Sequence, residues 1–97
     1  MIRILPSARE DLAVGADFYE TQEEGLGTYF LESLFGEIDK LHRYAGIHPI
    51  VFGYHRMLSE RFPYAIYYLR DEDSTVVKAI LDCRRDPEWI QARLGMQ

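Results

Sequence analysis

The chain has one cysteine, Cys83, and no long apolar run among its 97 residues. A single cysteine excludes a disulfide within the chain and a zinc site built on cysteines. We expect this thiol to be packed rather than reactive, because nothing in the sequence pairs it with a histidine. No run approaches the roughly 18 apolar residues of a membrane-spanning helix, and the apolar start is too short for a signal peptide. These absences predict a cytoplasmic protein that has no contact with a membrane.

The composition is that of an ordinary globular protein, with 47% hydrophobic and 28% charged residues. This balance excludes a disordered chain. Two separate cores would need roughly 100 residues each, so residues 1–97 are predicted to form a single domain. We find no internal repeat, linker or low-complexity tract.

Basic residues are outnumbered, with 11 Lys and Arg against 16 Asp and Glu, for a net charge of −5. The whole acidic excess lies in residues 1–50, which carry nine acidic and four basic side chains. Residues 51–97 carry seven of each, and six of those seven basic residues are arginines. This distribution argues against broad electrostatic capture of nucleic acid and against sequence-specific DNA binding by the chain alone. It leaves room for a local cationic surface in the second half.

Periodicity predicts a strand and two helices in the first half. Residues 2–5 form a short apolar run that Pro6 ends. Ser7 and Glu10 match a capping box, in which each side chain bonds the backbone N–H of the other. The helix they open ends before Gly25, and a second helix covers residues 28–44. The two apolar stripes, spaced by three and four residues, are Ala8, Leu12, Ala16 and Tyr19, and Phe30, Leu34, Ile38 and Leu41.

From Ile50 the repeat shortens from about 3.6 residues to two, which predicts strands. They cover residues 52–58, 62–69 and 75–83, and the last is apolar on both faces, as an interior strand is. Asp86 and Pro87 predict the cap and first position of a C-terminal helix. The predicted fold is α+β, in the order β-α-α-β-β-β-α. An antiparallel sheet meander is packed by an N-terminal helical hairpin and a short C-terminal helix.

Four segments carry a resemblance to a known family. They are PSAREDL at residues 6–12, YHRML at 54–58, FPYAIYY at 62–68 and LDCRRDP at 81–87. Together with the element order they resemble the RelE/ParE family of bacterial toxins over nearly the whole chain. The resemblance implies the toxin of a type II toxin–antitoxin system, a growth inhibitor of the kind linked to plasmid stabilisation. It implies a cognate antitoxin as partner and no cofactor.

The family divides into two modes of action. Members that cleave mRNA on the ribosome use arginine and lysine to stabilise phosphate charge, and tyrosine, histidine or glutamate to move protons. One of their arginines matches Ala65, which cannot stabilise charge, and such members are commonly strongly basic, unlike this chain. The resemblance therefore favours the ParE-like subgroup, whose implied target is DNA gyrase and which acts by binding. The alternatives are a ribosome-dependent, metal-independent mRNA endonuclease and a degenerate, non-toxic member that only binds its antitoxin.

The candidate functional residues are mainly arginines. Arg84 and Arg85 follow the last strand. We expect them either to contact a target or an acidic antitoxin segment, or to pair with a nearby carboxylate such as Asp82. Arg56 has a planar fork suited to phosphate or carboxylate, or else bridges the sheet to the helices. His55, predicted on the opposite face from Arg56, is the candidate titrating group, although a plain strand histidine fits as well.

The remaining candidates complete a predicted partner- or target-binding set. Tyr54 shares the sheet face of Arg56, Arg61 lies in a turn, and Trp89 lies on the C-terminal helix. The catalytic candidates, should the chain be an enzyme, are Arg56, Arg84, Arg85 and His55. The three histidines lack metal-ligand spacing, so no metal site is predicted.

Overall fold

The computed structural model describes residues 1–95 as a five-stranded sheet with helices on both faces. In chain order the elements are β1 (Ile2–Ile4), α1 (Pro6–Gln22), α2 (Leu26–Asp39), α3 (Leu41–Tyr44), β2 (Ile50–Val51), β3 (Tyr54–Leu58), β4 (Tyr64–Asp71), β5 (Ser74–Asp82) and α4 (Pro87–Gly95).

The strands lie in the order β1-β5-β4-β3-β2. The predicted α+β class, helical hairpin and C-terminal helix are confirmed, and β5 lies inside the sheet as expected. The predicted antiparallel meander is present as β2 to β5, and β1, whose pairing was not predicted, adds to β5 in parallel, so the sheet is mixed. The helices α1 to α3 carry the chain from one edge of the sheet to the other. The meander β2 to β5 then returns the chain to the edge formed by β1, and its last strand, β5, runs parallel to β1.

Residues 50–58 form a β-hairpin of β2 and β3 where one strand was predicted over residues 52–58, so β2 was not predicted. Val51 pairs with Tyr54 across a two-residue turn. Both turn residues have positive φ, 56° at Phe52 and 88° at Gly53, as in the turns that match the twist of a hairpin. Phenylalanine is rare in that conformation, which is why the turn carried no sequence signal.

The predicted capping box at the start of α1 is wrong. The residue before the helix is Leu5, no side chain caps it, and Pro6 occupies the first turn. Proline has no N–H to satisfy and a φ already suited to a helix, so the helix begins two residues earlier than a cap at Ser7 would place it. The Ser7 hydroxyl instead donates to the Lys78 carbonyl on β5 at 3.0 Å and ties α1 to the sheet.

The predicted second helix is divided in two. It begins at Leu26, after Gly25 with φ of 90°, and α3 follows it after Lys40. Close packing of the helical hairpin depends on small residues. A Cβ added to Gly15 would lie 2.7 Å from Phe30 Cζ on α2.

Two cores lie on the two faces of the sheet. The core under the helical hairpin contains Ala8, Leu12, Phe30, Leu34, Ile38, Leu41, Met57, Phe62, Tyr64, Ile66, Tyr68, Val77 and Ile80. The core under α4 contains Tyr54, Ala65, Tyr67, Ala79, Leu81, Ile90 and Leu94. Cys83 was expected to be packed but is exposed, because it lies one residue past the end of β5.

Candidate functional site

Two of the four predicted arginines lie between the end of β5 and the start of α4. The strand ends at Asp82 and the helix begins at Pro87, so Arg84 and Arg85 lie on a short connection. The predicted cap of α4 is present, since an Asp86 carboxylate oxygen accepts the Glu88 N–H at 3.0 Å. This cap fixes the direction of the helix relative to the strand end.

Arg84 is paired within the chain. Its Nε and Nη2 donate to the two carboxylate oxygens of Asp82 at 3.0 and 2.8 Å, and its backbone N–H donates to Asp82 Oδ1 at 2.8 Å. These bonds lower the pKa of Asp82 and raise that of Arg84. The pairing with Asp82, predicted as the alternative to a target or antitoxin contact, is therefore present. The pair uses two of the five N–H donors of the guanidinium and offsets its charge.

Arg85 differs from Arg84 because it rests on an aromatic ring. Its Cζ lies 4.0 Å from the centroid of the Trp89 ring, a cation–π contact. Within residues 1–95, no carboxylate oxygen lies within 4.0 Å of its guanidinium nitrogens. Arg85 therefore makes no ion pair within the described residues, although its charge also helps to lower the pKa of Asp82.

Arg93 lies near the same ring, with Cζ 5.8 Å from the Trp89 centroid. Its two terminal nitrogens donate to the carboxylate of Asp11 on α1 at 2.9 and 3.0 Å. The same carboxylate accepts the Ile80 N–H at 3.0 Å. Asp11 thus joins α1, β5 and α4 and fixes one wall of the site.

These residues line an open groove of about 500 Å³ between α1, the end of β5 and α4, which we call the α1–α4 groove. Its walls are Glu10, Asp11, Val14, Phe18, Tyr64, Ile80, Leu81, Asp82, Arg85, Trp89 and Arg93. Val14 and Phe18 are 58% and 48% exposed. The groove therefore combines apolar side chains with the unpaired cation of Arg85.

Tyr64 lines the groove and is largely buried. Burial, aided by the nearby Asp82 carboxylate, raises the pKa of Tyr64 to about 12. A tyrosine with so high a pKa stays protonated near neutral pH, so it is a hydrogen-bond donor here and a poor general base.

Arg56 lies on the α4 face of the sheet, opposite Tyr67 on β4. Its Nε is buried and has no hydrogen-bond partner within residues 1–95. Burial raises the pKa of the Tyr67 hydroxyl. Partial desolvation raises the pKa of the Cys83 thiol, although the residue as a whole is exposed, and the charge of Arg56 opposes both shifts. Arg56 thus belongs to a second polar group beside β4, outside the walls of the α1–α4 groove.

His55 lies on the opposite face from Arg56, as its position in the strand predicts. Its ring stacks on Tyr68 with centroids 5.0 Å apart, and its Nδ1 bonds the His48 carbonyl at 2.8 Å. The Tyr68 hydroxyl contacts His48 Nδ1 at 2.5 Å and accepts the Gly46 N–H at 2.9 Å. Burial, and then the charge of His55, lowers the pKa of His48. This cluster holds the loop before β2 and is separate from the arginines.

Two further candidates lie away from the groove. Arg61 donates to the Tyr29 hydroxyl on α2 at 2.8 Å. Tyr54 is 7% exposed, and its hydroxyl donates to the Leu94 carbonyl at 3.3 Å under α4. The predicted set therefore separates into the groove residues Arg85 and Trp89, the paired Arg84 on the connecting loop, and three residues elsewhere.

Sequence reasoning missed the α1 side of the groove. Asp11 lies 82 positions from Arg93, so no local pattern connects them. The available signal was the place of Asp11 on the helix, directly beside the buried Leu12. A charged residue at the border of an apolar stripe often has a partner on the neighbouring element.

The described part of the chain contains no group of three His, Cys, Asp or Glu side chains able to hold a metal ion. Nor does any helix within residues 1–95 have the length and apolar character needed to cross a membrane.

Comparison with known proteins gives a likeness in fold. The chain matches no protein family profile and no curated protein. Among solved structures it is similar to a chain described as "Chromosomal ParDE TA system from P. aeruginosa", with a TM-score of 0.68 at 17% identity. The match covers 81% of this chain and 90% of that one. The chain thus has a ParE-like fold, and the resemblance to the RelE/ParE family predicted from its sequence is confirmed at that level.

Proposed function

We propose that this chain is the toxin of a bacterial type II toxin–antitoxin module, neutralised by a cognate antitoxin. The observation that carries the proposal is the likeness in fold to the ParDE toxin–antitoxin structure over 90% of that chain. The α1–α4 groove supports the proposal because it offers a surface to which an antitoxin segment can bind.

The proposed action on the target is binding, and the proposed target is DNA gyrase. Three features argue against RNA cleavage. Ala65, which matches an arginine of the cleaving members, is fully buried under α4, so no charged group can be presented there. Tyr64 is a poor base because its pKa is raised to about 12. His55 lies on the other side of the sheet from the α4 core.

Arg85 is proposed to contact the target, and the antitoxin is proposed to cover it by placing an acidic, partly apolar segment in the α1–α4 groove. Arg85 offers an unpaired charge there, and Val14 and Phe18 offer apolar contact. A desolvated carboxylate on Arg85 would form a charge-assisted pair, and the fixed position on Trp89 reduces the entropy lost on binding. Arg56, Arg61 and Tyr54 remain predicted contacts outside this groove.

The test is induced expression of the chain in a bacterial host, with the amount of folded protein measured in each culture. We expect growth to stop, transcripts to stay intact and plasmid supercoiling to fall. Transcripts cut within codons would identify an mRNA endonuclease instead. Unimpeded growth with abundant folded chain would identify a non-toxic member that only binds its partner. Co-expression of an acidic protein encoded beside the gene should restore growth.

A further inference from the structure

A second groove lies between α2, α3 and the outer edge of β3. It has a volume of about 390 Å³ and is lined by Glu37, Lys40, Tyr44, Ile47, His48, Met57, Leu58 and Glu60. We call it the Glu37 groove. It shares no residue with the α1–α4 groove, and nothing in the proposed function uses it.

Glu37 is the unusual residue of this groove. It is only 7% exposed, although it carries a carboxyl group. One oxygen, Oε2, accepts the Glu60 N–H at 2.9 Å. The other, Oε1, is buried and has no hydrogen-bond partner within residues 1–95. An unpaired buried acceptor is costly, so a ligand that donates a hydrogen bond to Oε1 would gain more than an ordinary surface contact does.

The charges of the groove favour a cationic donor. Its carboxylates are Glu37 and Glu60, and its one lysine, Lys40, already faces Glu60 at 3.8 Å. His48 adds little positive charge near neutral pH, because burial lowers its pKa. A guanidinium or ammonium group fits this balance, and the fork of arginine can bond a carboxylate oxygen directionally.

The unpaired outer edge of β3 indicates that the cation belongs to an extended peptide. The Arg56 N–H points outward to the Pro49 carbonyl at 2.9 Å, whereas the Ser59 N–H points inward to the Tyr64 carbonyl at 2.8 Å. Alternation along the strand therefore turns the Leu58 N–H and C=O outward. The strand β2 pairs only with Tyr54 and His55, so no strand lies beside Leu58. An extended peptide can add itself at such an edge.

We infer that the Glu37 groove binds an extended protein segment carrying a basic side chain, arginine by preference, whose charged group bonds Glu37 Oε1. The segment pairs with the outer edge of β3 at Leu58. Its side chains alternate between the two faces of the sheet, so one of them points toward α2 and Glu37. Ile47 and Tyr44, 71% and 47% exposed, contact the apolar part of that side chain. The inference does not rest on the proposed function.

The test is an NMR titration of the full ¹⁵N-labelled chain, made by cell-free synthesis so that toxicity has no bearing on it. The probe is an acetylated, amidated pentapeptide of valine, threonine, arginine, valine and threonine. We expect saturable shifts of the Leu58 and Glu60 amide signals. The same peptide with neutral citrulline in place of arginine should bind at least about tenfold more weakly, as expected for loss of a charge-assisted bond.

Two variants separate the buried oxygen from general charge. Glu37→Gln keeps an oxygen for the Glu60 N–H but places an NH₂ donor where Oε1 was, so it should lower affinity for the arginine peptide at least about tenfold. Glu60→Gln makes the same charge change at an exposed carboxylate and should lower the affinity for the arginine peptide less than about threefold. The inference is overturned if the arginine peptide causes no shifts at the groove. It is equally overturned if the citrulline peptide binds as well, or if both variants weaken binding to the same extent. Preserved amide spectra of both variants verify that they are folded.

Discussion

The guanidinium of Arg85 rests on the ring of Trp89, with Cζ 4.0 Å from the centroid, and no ion pair within residues 1–95 neutralises it. Its neighbour Arg84 is instead bound to Asp82 through three hydrogen bonds. The adjacent residues Arg84 and Arg85 therefore differ in whether their charge is already paired within the chain. The difference identifies Arg85 as the charge that a target or antitoxin can use.

Replacing Arg85 with alanine should therefore reduce toxicity, because a desolvated charge contact is lost. We expect at least about tenfold more surviving colonies after induction. Folding should be little affected, within about 0.5 kcal/mol, since Arg85 is exposed. Arg43→Ala is the matched control, because Arg43 is also exposed and also lies over an aromatic ring, with Cζ 5.9 Å from the Tyr44 centroid, but belongs to no predicted contact. Equal toxicity of wild type and Arg85→Ala at equal protein levels would contradict this role.

The pair of Asp11 and Arg93 should contribute to stability rather than to recognition. Asp11→Ala removes the acceptor of both Arg93 and the Ile80 N–H, so we expect a loss of about 2–4 kcal/mol of unfolding free energy. Arg93 is about one-third exposed, and Arg93→Ala should cost less, about 1–2 kcal/mol. Urea unfolding of the two single variants and the double variant measures the coupling. Fully additive losses would show that the ion pair contributes nothing.

Two helical glycines should respond oppositely to alanine. Gly15→Ala places a Cβ 2.7 Å from Phe30 Cζ, so we expect a loss of about 1–3 kcal/mol from overpacking. Gly36→Ala meets nothing within 4 Å and should gain about 0.5–1 kcal/mol from helix propensity. Thermal or urea unfolding measures both. A stabilising Gly15→Ala would mean that α1 and α2 do not approach as closely as described.

Stability should fall on mild acidification through His48. Burial lowers its pKa in the folded chain, so below its ordinary value of about 6.5 the unfolded chain binds more protons than the folded chain. Stability therefore rises with pH through this range and levels off above about pH 7. The check is urea unfolding between pH 5 and 7.5, comparing wild type with His48→Gln, whose dependence should be weaker. An unchanged slope in the variant would assign the effect to another group.

Much of the fold follows from short-range patterns. The strands β4 and β5 are predicted within two residues because their apolar runs are long and end at charged turns. The β2–β3 hairpin escapes prediction because Phe52 adopts a left-handed conformation with no sequence signal. The parallel pairing of β1 with β5 is also hidden, since it depends on where the helices return the chain.

The candidate site is less predictable than the fold. Arg85 and Trp89 are four residues apart across a helix start, and both were predicted as contacts. The availability of Arg85 and the pairing of Arg84 depend on side-chain directions that spacing does not determine. Glu37 gives no signal at all, because a glutamate on a helix is normally solvated and only the tertiary structure buries it.

The measurement that tests the central claim most directly is a supercoiling assay with purified DNA gyrase and the purified chain. The account predicts inhibition that becomes complete as the chain approaches stoichiometric amounts, and that is weaker with Arg85→Ala. If the chain arrests growth when it is expressed, yet an excess of the folded, purified chain leaves supercoiling unaltered in the assay, gyrase is not the target.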